Sequence, residues 1–242
     1  SVPGAGTVVT GSVWTGTVAV GDQVRLHPVE RSARVRTVEV HGARVERAAP
    51  GTRAALGLAD LDRQQVRRGD VVVDSRLPWE STLALDVRLR LLESAPRPLT
   101  SRTRVHLHLG TAEVIARVLP RSPIPPGATG LARLACEAPL VARGADRFVI
   151  RSYSPVTTIG GGVVLDPLPP RRRPLWPDQL DSPDPGGRLL ALLARHPPGV
   201  SSGSLAVRSG LSITEIDALL AGDDRVRLLP GGWVLDDLVR HA

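Results

Sequence analysis

Residues 17–26 read Thr17-Val18-Ala19-Val20-Gly21-Asp22-Gln23-Val24-Arg25-Leu26. A β-rich run meets a Gly-Asp turn, and the chain then alternates polar and apolar residues, the period of a half-buried strand. The same unit recurs outward from this point. Thr7-Val8-Val9-Thr10 ends at Gly11. Arg34-Val35-Arg36-Thr37-Val38-Glu39-Val40 alternates up to His41-Gly42. Arg53 to Ala59 follows the Pro50-Gly51 turn, and Val71-Val72-Val73 follows Arg68-Gly69-Asp70. About six short strands with regularly spaced turns predict a small closed barrel over residues 1–76.

Pro78 opens a second β region. Leu83, Leu85, Val87, Leu89 and Leu91 share one face of a strand, and Arg104 to Leu109 and Glu113 to Leu119 alternate as cleanly. Gly130 to Leu134 and Arg147 to Arg151 follow. Gly160-Gly161-Gly162 is expected to break the chain before Val163-Val164-Leu165, completing a second barrel over 77–168. Residues 169–187 are too rich in proline for a helix or central strand and read as a solvated linker containing Arg171-Arg172-Arg173. Beyond it the period turns helical. Leu189, Leu190, Leu192 and Leu193 mark one helix over Arg188 to His196, and Ser201 to Ser209, ended by Gly210, marks a second. Ser212 and Glu215 form a capping box opening a third, expected to bury Ile213, Ile216, Leu219 and Leu220. Arg225 to Leu229 and Trp233 to Leu235 flank Pro230-Gly231-Gly232 as a hairpin. The predicted fold is mainly β: two consecutive small β-barrels, then a winged-helix α+β module over 188–242.

The 242 residues are 42% apolar, enough for packed cores, and no apolar run reaches the roughly 18 residues a membrane-spanning helix needs. No basic-then-apolar leader is present, and the single cysteine, Cys136, forms no internal disulfide, so a reducing, cytoplasmic setting is expected. The net charge is +7, and all the basic residues are arginine. The excess lies in the barrels: eleven arginines face eight acids in residues 1–76, and eleven face seven in 77–168. Such an excess suits a phosphate-rich partner. With so few aromatics, a stacking platform for single strands is not expected.

The sequence offers no catalytic constellation. Cys136 has no evident base partner, and no serine stands in a nucleophile elbow. No Gly-Lys-Ser/Thr follows Gly4-Ala5-Gly6, and Gly160-Gly161-Gly162 precedes a strand rather than a helix, so neither is a phosphate loop. His106 and His108 share a strand face without a third ligand at a familiar spacing, so no metal is expected. The third helix carries Glu215 and Asp217 and no arginine, which disfavours reading the DNA major groove. A protein-contact or spacer role is the first expectation for this module, with RNA contact through Arg225 and Arg227 of the wing as its alternative.

Ser1-Val2-Pro3-Gly4-Ala5-Gly6-Thr7-Val8-Val9-Thr10-Gly11, with Gly16 to Asp22 and Arg68-Gly69-Asp70, resembles the opening of domain II in translational GTPases. Leu107 to Val114, Pro139-Leu140-Val141-Ala142-Arg143-Gly144, Arg147 to Pro155, Thr158 to Gly162 and Leu165-Asp166-Pro167 resemble the selenocysteine-specific elongation factors (SelB). So does a winged helix after the second barrel. The resemblance implies a fragment of a larger factor that delivers selenocysteyl-tRNA to the ribosome at UGA codons. It places GTP and Mg²⁺ on a GTPase domain ahead of domain II, and a selenoprotein mRNA hairpin on further C-terminal winged helices. It implies no cofactor and no GTP hydrolysis for the fragment itself. It also implies that Arg53, in Gly51-Thr52-Arg53-Ala54-Ala55, lies in the aminoacyl pocket, where a guanidinium would favour an anionic selenolate over a serine hydroxyl. Arg102, Arg104, Arg117 and Arg121 are the candidates for the tRNA body. Two alternatives stay open: another translational GTPase with a fused C-terminal domain, or a stand-alone β-barrel and winged-helix module that binds tRNA or protein.

Overall fold

The computed structural model describes residues 7–171, 176, 178–196 and 199–236. The opening motif before Thr7 and the arginines Arg172 and Arg173 lie outside the described residues. The chain divides into two units at Arg76/Leu77.

The first unit holds eight strands: β1 (Thr7–Ser12), β2 (Val18–Ala19), β3 (Gln23–His27), β4 (Arg31–Val40), β5 (Ala43–Val45), β6 (Arg47–Ala48), β7 (Arg53–Leu58) and β8 (Val71–Asp74). The ladder runs β1-β7-β4-β3-β8, with β5 on β4, and β2 and β6 form a separate ribbon. All eight strands send an apolar side chain into one core built on Leu26, Val35, Val38 and Leu58. The alternation of β4 has a flaw that the sequence hides. A register shift between Val35 and Thr37 places Val38, not Thr37, against the core, as a bulge does when two residues oppose one.

The second unit opens with β9 (Thr82–Leu91), β10 (Thr103–Leu109), β11 (Ala112–Pro120), β12 (Thr129–Leu140), β13 (Arg147–Ser152) and β14 (Thr158–Asp166). These close in the order β10-β11-β12-β9-β14-β13. Leu85, Val87, Leu89 and Leu91 of β9 fill the interior with Val105, Leu107 and Ile150. Leu83, the second residue of the same strand, remains 57% exposed, so the buried face is one residue shorter than its alternation suggests. The three glycines do not break the chain. Gly160, Gly161 and Gly162 lie inside β14, paired with β9 on one side and β13 on the other. A Cβ at Gly160 would stand 2.5 Å from the Arg90 carbonyl, and one at Gly161 2.6 Å from that of Phe148. The seam of the barrel closes there because no side chain intervenes.

The rest of the unit is α1 (Pro185–Ala194), α2 (Ser202–Ser209), α3 (Ile213–Ala221) and the hairpin β15 (Val226–Leu229) and β16 (Gly232–Leu235). Helix α1 begins inside the expected linker. Proline is well suited to a first helical position, where no N–H is needed, and the Asp184 carboxylate accepts from the N–H groups of Gly186 and Gly187. Leu180, also in that linker, is buried in the helical core with Leu189, Leu192 and Trp233. Helix α2 starts on the Ser201 cap and ends at left-handed Gly210, and Ser212 and Glu215 form the expected capping box of α3. Helix α3 buries only Ile216 and Leu220. Ile213 and Leu219 are 42% and 39% exposed, because they flank that narrow stripe on either side.

A candidate nucleic-acid interface on the second barrel

The β10–β11 hairpin sets Arg104 directly opposite Arg117. Both reach Glu137 of β12: Arg104 Nη2 donates to one carboxylate oxygen at 2.9 Å, and Arg117 Nη2 lies 3.4 Å from the other. One carboxylate thus answers two guanidiniums, leaving the pair a net positive charge. The Arg104 guanidinium also covers the Tyr153 ring, 4.4 Å from its centroid, and the ring stacks on His106 at 5.7 Å and 19°. His106 Nδ1 is in turn 3.0 Å from Glu113 Oε1, with His108 Nδ1 3.9 Å from Oε2. Among the described residues no three His, Cys, Asp or Glu side chains are arranged to hold a metal ion.

Arg102 occupies the turn that leads into β10, at φ +67°, with its N–H donating to the Val118 carbonyl at 2.8 Å. That turn is tied internally, the Thr103 hydroxyl donating to the Thr100 carbonyl at 2.9 Å. Beside it lies an open cavity of about 330 Å³, lined by Arg97, Thr100, Ser101, Arg102, Arg104 and Tyr153. Cations, hydroxyls and a half-exposed aromatic ring thus surround one concavity, the types of group that pair with phosphate and ribose in nucleic-acid complexes. Of the four arginines expected here, the structure brings Arg102 and Arg104 to the cavity and Arg117 to the shared carboxylate. Arg121 follows the end of β11, its backbone N–H donating to Leu131 at 2.9 Å. Arg97, Glu137 and the role of Tyr153 escape a reading of the sequence, because nothing local joins residues 97, 104, 137 and 153. The one available signal is that Tyr153 is the only tyrosine in the chain.

The remaining candidates are dispersed. Arg53 is the first residue of β7, exposed, opposite Ser12 of β1. It follows left-handed Gly51 and a turn in which the Thr52 hydroxyl donates to the Ala49 carbonyl at 2.6 Å. The wing arginines are already paired: Arg225 with Asp223 at 2.7 Å, and Arg227 with Asp236. Arg225 holds the Asp223 carboxyl down at about 2. Of the two α3 acids, Asp217 is structural: it accepts from the Ser202 hydroxyl at 2.6 Å and the Trp233 indole at 3.2 Å. Burial pushes the Cys136 thiol up to about 12, which leaves it unreactive as a nucleophile.

Two small β domains in tandem, the second a closed six-stranded barrel, are the architecture of the β part of a translation elongation factor. The family described as "Elongation factor Tu domain 2" matches residues 6–73, and "Selenocysteine-specific elongation factor, beta-barrel domain" matches residues 86–171. The chain belongs to the selenocysteine-specific elongation factor family. It is 35% identical over 170 residues to a selenocysteine-specific elongation factor of Desulfomicrobium baculatum, covering 69% of this chain and 27% of that protein. With the Escherichia coli protein of the same description it shares 34% over 196 residues, covering 81% and 29%. The chain therefore spans less than a third of the length of these relatives. The crystal structure of a bacterial selenocysteine-specific elongation factor, EF-Sec, superposes with a TM-score of 0.78 at 24% identity, covering 99% of this chain and 38% of that one.

Proposed function

We propose that this chain is the tRNA-holding part of a factor that delivers selenocysteyl-tRNA to the ribosome for incorporation at UGA codons. The observation that carries the reading is the cavity where Arg97, Arg102 and Arg104 converge on Tyr153, in a chain of this family. The tRNA body lies along the second barrel, its phosphates on these guanidiniums and on Arg117 and Arg121. GTP and Mg²⁺ belong to another domain of the larger cytoplasmic protein; no Gly-Lys-Ser/Thr phosphate loop occurs in these 242 residues. The selenoprotein mRNA hairpin belongs to further winged helices.

The test is the salt dependence of selenocysteyl-tRNA binding. Log affinity is expected to fall steeply with log salt, and Arg102→Ala to reduce the slope by about 1. A flat response in the parent protein would remove the barrel from the tRNA path. In the same reading Arg53 meets the aminoacyl group. A selenol is anionic at neutral pH and a serine hydroxyl is not, so Arg53→Ala in the full-length factor narrows the affinity gap between selenocysteyl- and seryl-tRNA. An unchanged gap would exclude Arg53 from the pocket.

A further inference from the structure

Asp86 and Asp166 lie on the outer side of their barrel strands, β9 and β14, yet both are 0% exposed. The helical module covers them. Arg195, at the C-terminus of α1, pairs with Asp86 and stands 3.4 Å from Asp166. Arg208, in the last turn of α2, donates to Asp166 at 2.9 Å and to the Leu168 carbonyl at 2.7 Å. Arg133 of β12 closes the set from the barrel side with two bonds to Asp86, at 2.7 and 2.9 Å. Beside this ionic cluster the backbones touch. The Gly144 N–H donates to the Val207 carbonyl at 2.8 Å. A Cβ at Gly144 would overlap the Arg208 carbonyl, and one at Gly210 the Gly144 carbonyl. Arg143 reaches the Ala206 and Leu211 carbonyls at 3.4 and 3.3 Å, the first of which also accepts from the Gly210 N–H that caps α2.

We propose that the helical module is not a tethered appendage but a fixed bracket on the second barrel, keyed in one orientation by Asp86 and Asp166 and seated by the glycine pair Gly144 and Gly210. Buried ion pairs add little net adhesion, since both partners regain water on separation. What they do is penalise every wrong seating. A module turned or shifted on the barrel leaves a carboxylate or a guanidinium buried without its partner, a cost far larger than the loss of an apolar contact. The glycines act through distance: the bond from Gly144 to Val207 forms only where no side chain separates the backbones. Pro139 to Gly144 and Leu165-Asp166-Pro167 are two of the five stretches whose resemblance is to the selenocysteine-specific factors rather than to translation factors at large. Arg143 and Gly144, which end the first of these stretches, and Asp166 in the second are here the docking residues. The outer surface of the module is thereby held at a fixed distance from the cationic cavity on the far strands of the same barrel.

The test is a spin-label distance measurement on the full chain. Labels go at Val149→Cys on β13 and Thr214→Cys on α3, with Cys136→Ala removing the native thiol. One narrow distance distribution is expected. A broad or multi-peaked one would overturn the proposal. Gly144→Val is expected to broaden it while the barrel and module keep their own secondary structure. Should that variant fail to fold, Asp86→Asn, which preserves shape and removes the key, is read instead, again with broadening expected. A distribution that stays narrow in a folded Gly144→Val chain, or in Asp86→Asn when that variant stands in, would show that these residues do not set the pose.

Discussion

His196 follows the last turn of α1, and burial, with Arg208 and Arg195 nearby, drives its imidazole down to about 4 from the ordinary 6.5. The folded state therefore favours the neutral ring. Its stability is intact above pH 6.5 and is lost as pH falls through 4. Asp146 does the reverse. Burial pushes its carboxyl up from 3.8 to about 6, against the pull of the Arg143 backbone N–H, so its contribution is fullest below pH 3.8 and is lost as pH rises through 6. The two slopes oppose each other between pH 4 and 6. His196→Gln should raise the melting temperature relative to the parent protein at pH 4.5 and leave it little changed at pH 7.5. Asp146→Asn should raise it at pH 7.5 and converge with the parent near pH 4. Parallel curves at both pH values would mean that neither group titrates on unfolding. At this scale the sequence reveals caps and turns, as at Ser201, Gly210 and the Ser212–Glu215 box, because those bonds span three or four residues. It does not reveal that Asp217 holds Trp233 or that Glu137 serves two arginines, since those partners meet only through the fold.

Among the elements, β14 and α3 are the informative contrast. A triple glycine reads as an interruption, since glycine costs a strand both entropy and packing. It is instead required by the close approach of β9 and β13. Gly162→Ala would set a methyl 2.8 Å from Phe148 Cζ and into the Arg88 carbonyl. The overpacking should cost about 1–3 kcal/mol in urea denaturation. Ser212→Ala, which removes the cap of α3 but disturbs no packing, should cost about 1 kcal/mol. If the glycine variant proved as stable as the parent, the seam would be looser than its geometry indicates. Alternation located five of the six strands of the second barrel, because one face is interior and the other is not, but not β14, which it broke at the glycines. It missed the bulge of β4, where one extra residue reverses parity without altering composition. It also missed the start of α1, where proline content argued for linker although Pro185 sits at the one helical position that favours it.

For the whole molecule, the turn spacing and the change of period read as two barrels, a linker and a separate helical module, whereas the chain forms two units, with the helical module in the second. Nothing in residues 169–187 announces that the chain beyond them packs onto the barrel before them, because Asp86, Asp166, Arg195 and Arg208 are up to 122 residues apart in number. The cationic cavity is dispersed in the same way. If barrel and module are keyed together, they should unfold together. Labelling of the buried Cys136 thiol, which reports the barrel, and amide exchange in α2, which reports the module, should then share one denaturant midpoint. Separate midpoints would mean that the two cores are coupled only weakly.

The bridge from Glu137 to Arg104 and Arg117 has an ionic consequence of its own. A carboxylate fixed on the protein behaves as a tethered counterion: it screens two guanidiniums and yet cannot diffuse away when a polyanion arrives. Because Glu137 cancels one of the pair's two charges, a polyanion docking there sheds fewer of its own condensed cations than it would on two unscreened arginines. The measured salt exponent should therefore undercount the arginines that touch the ligand, and Glu137→Gln should steepen it.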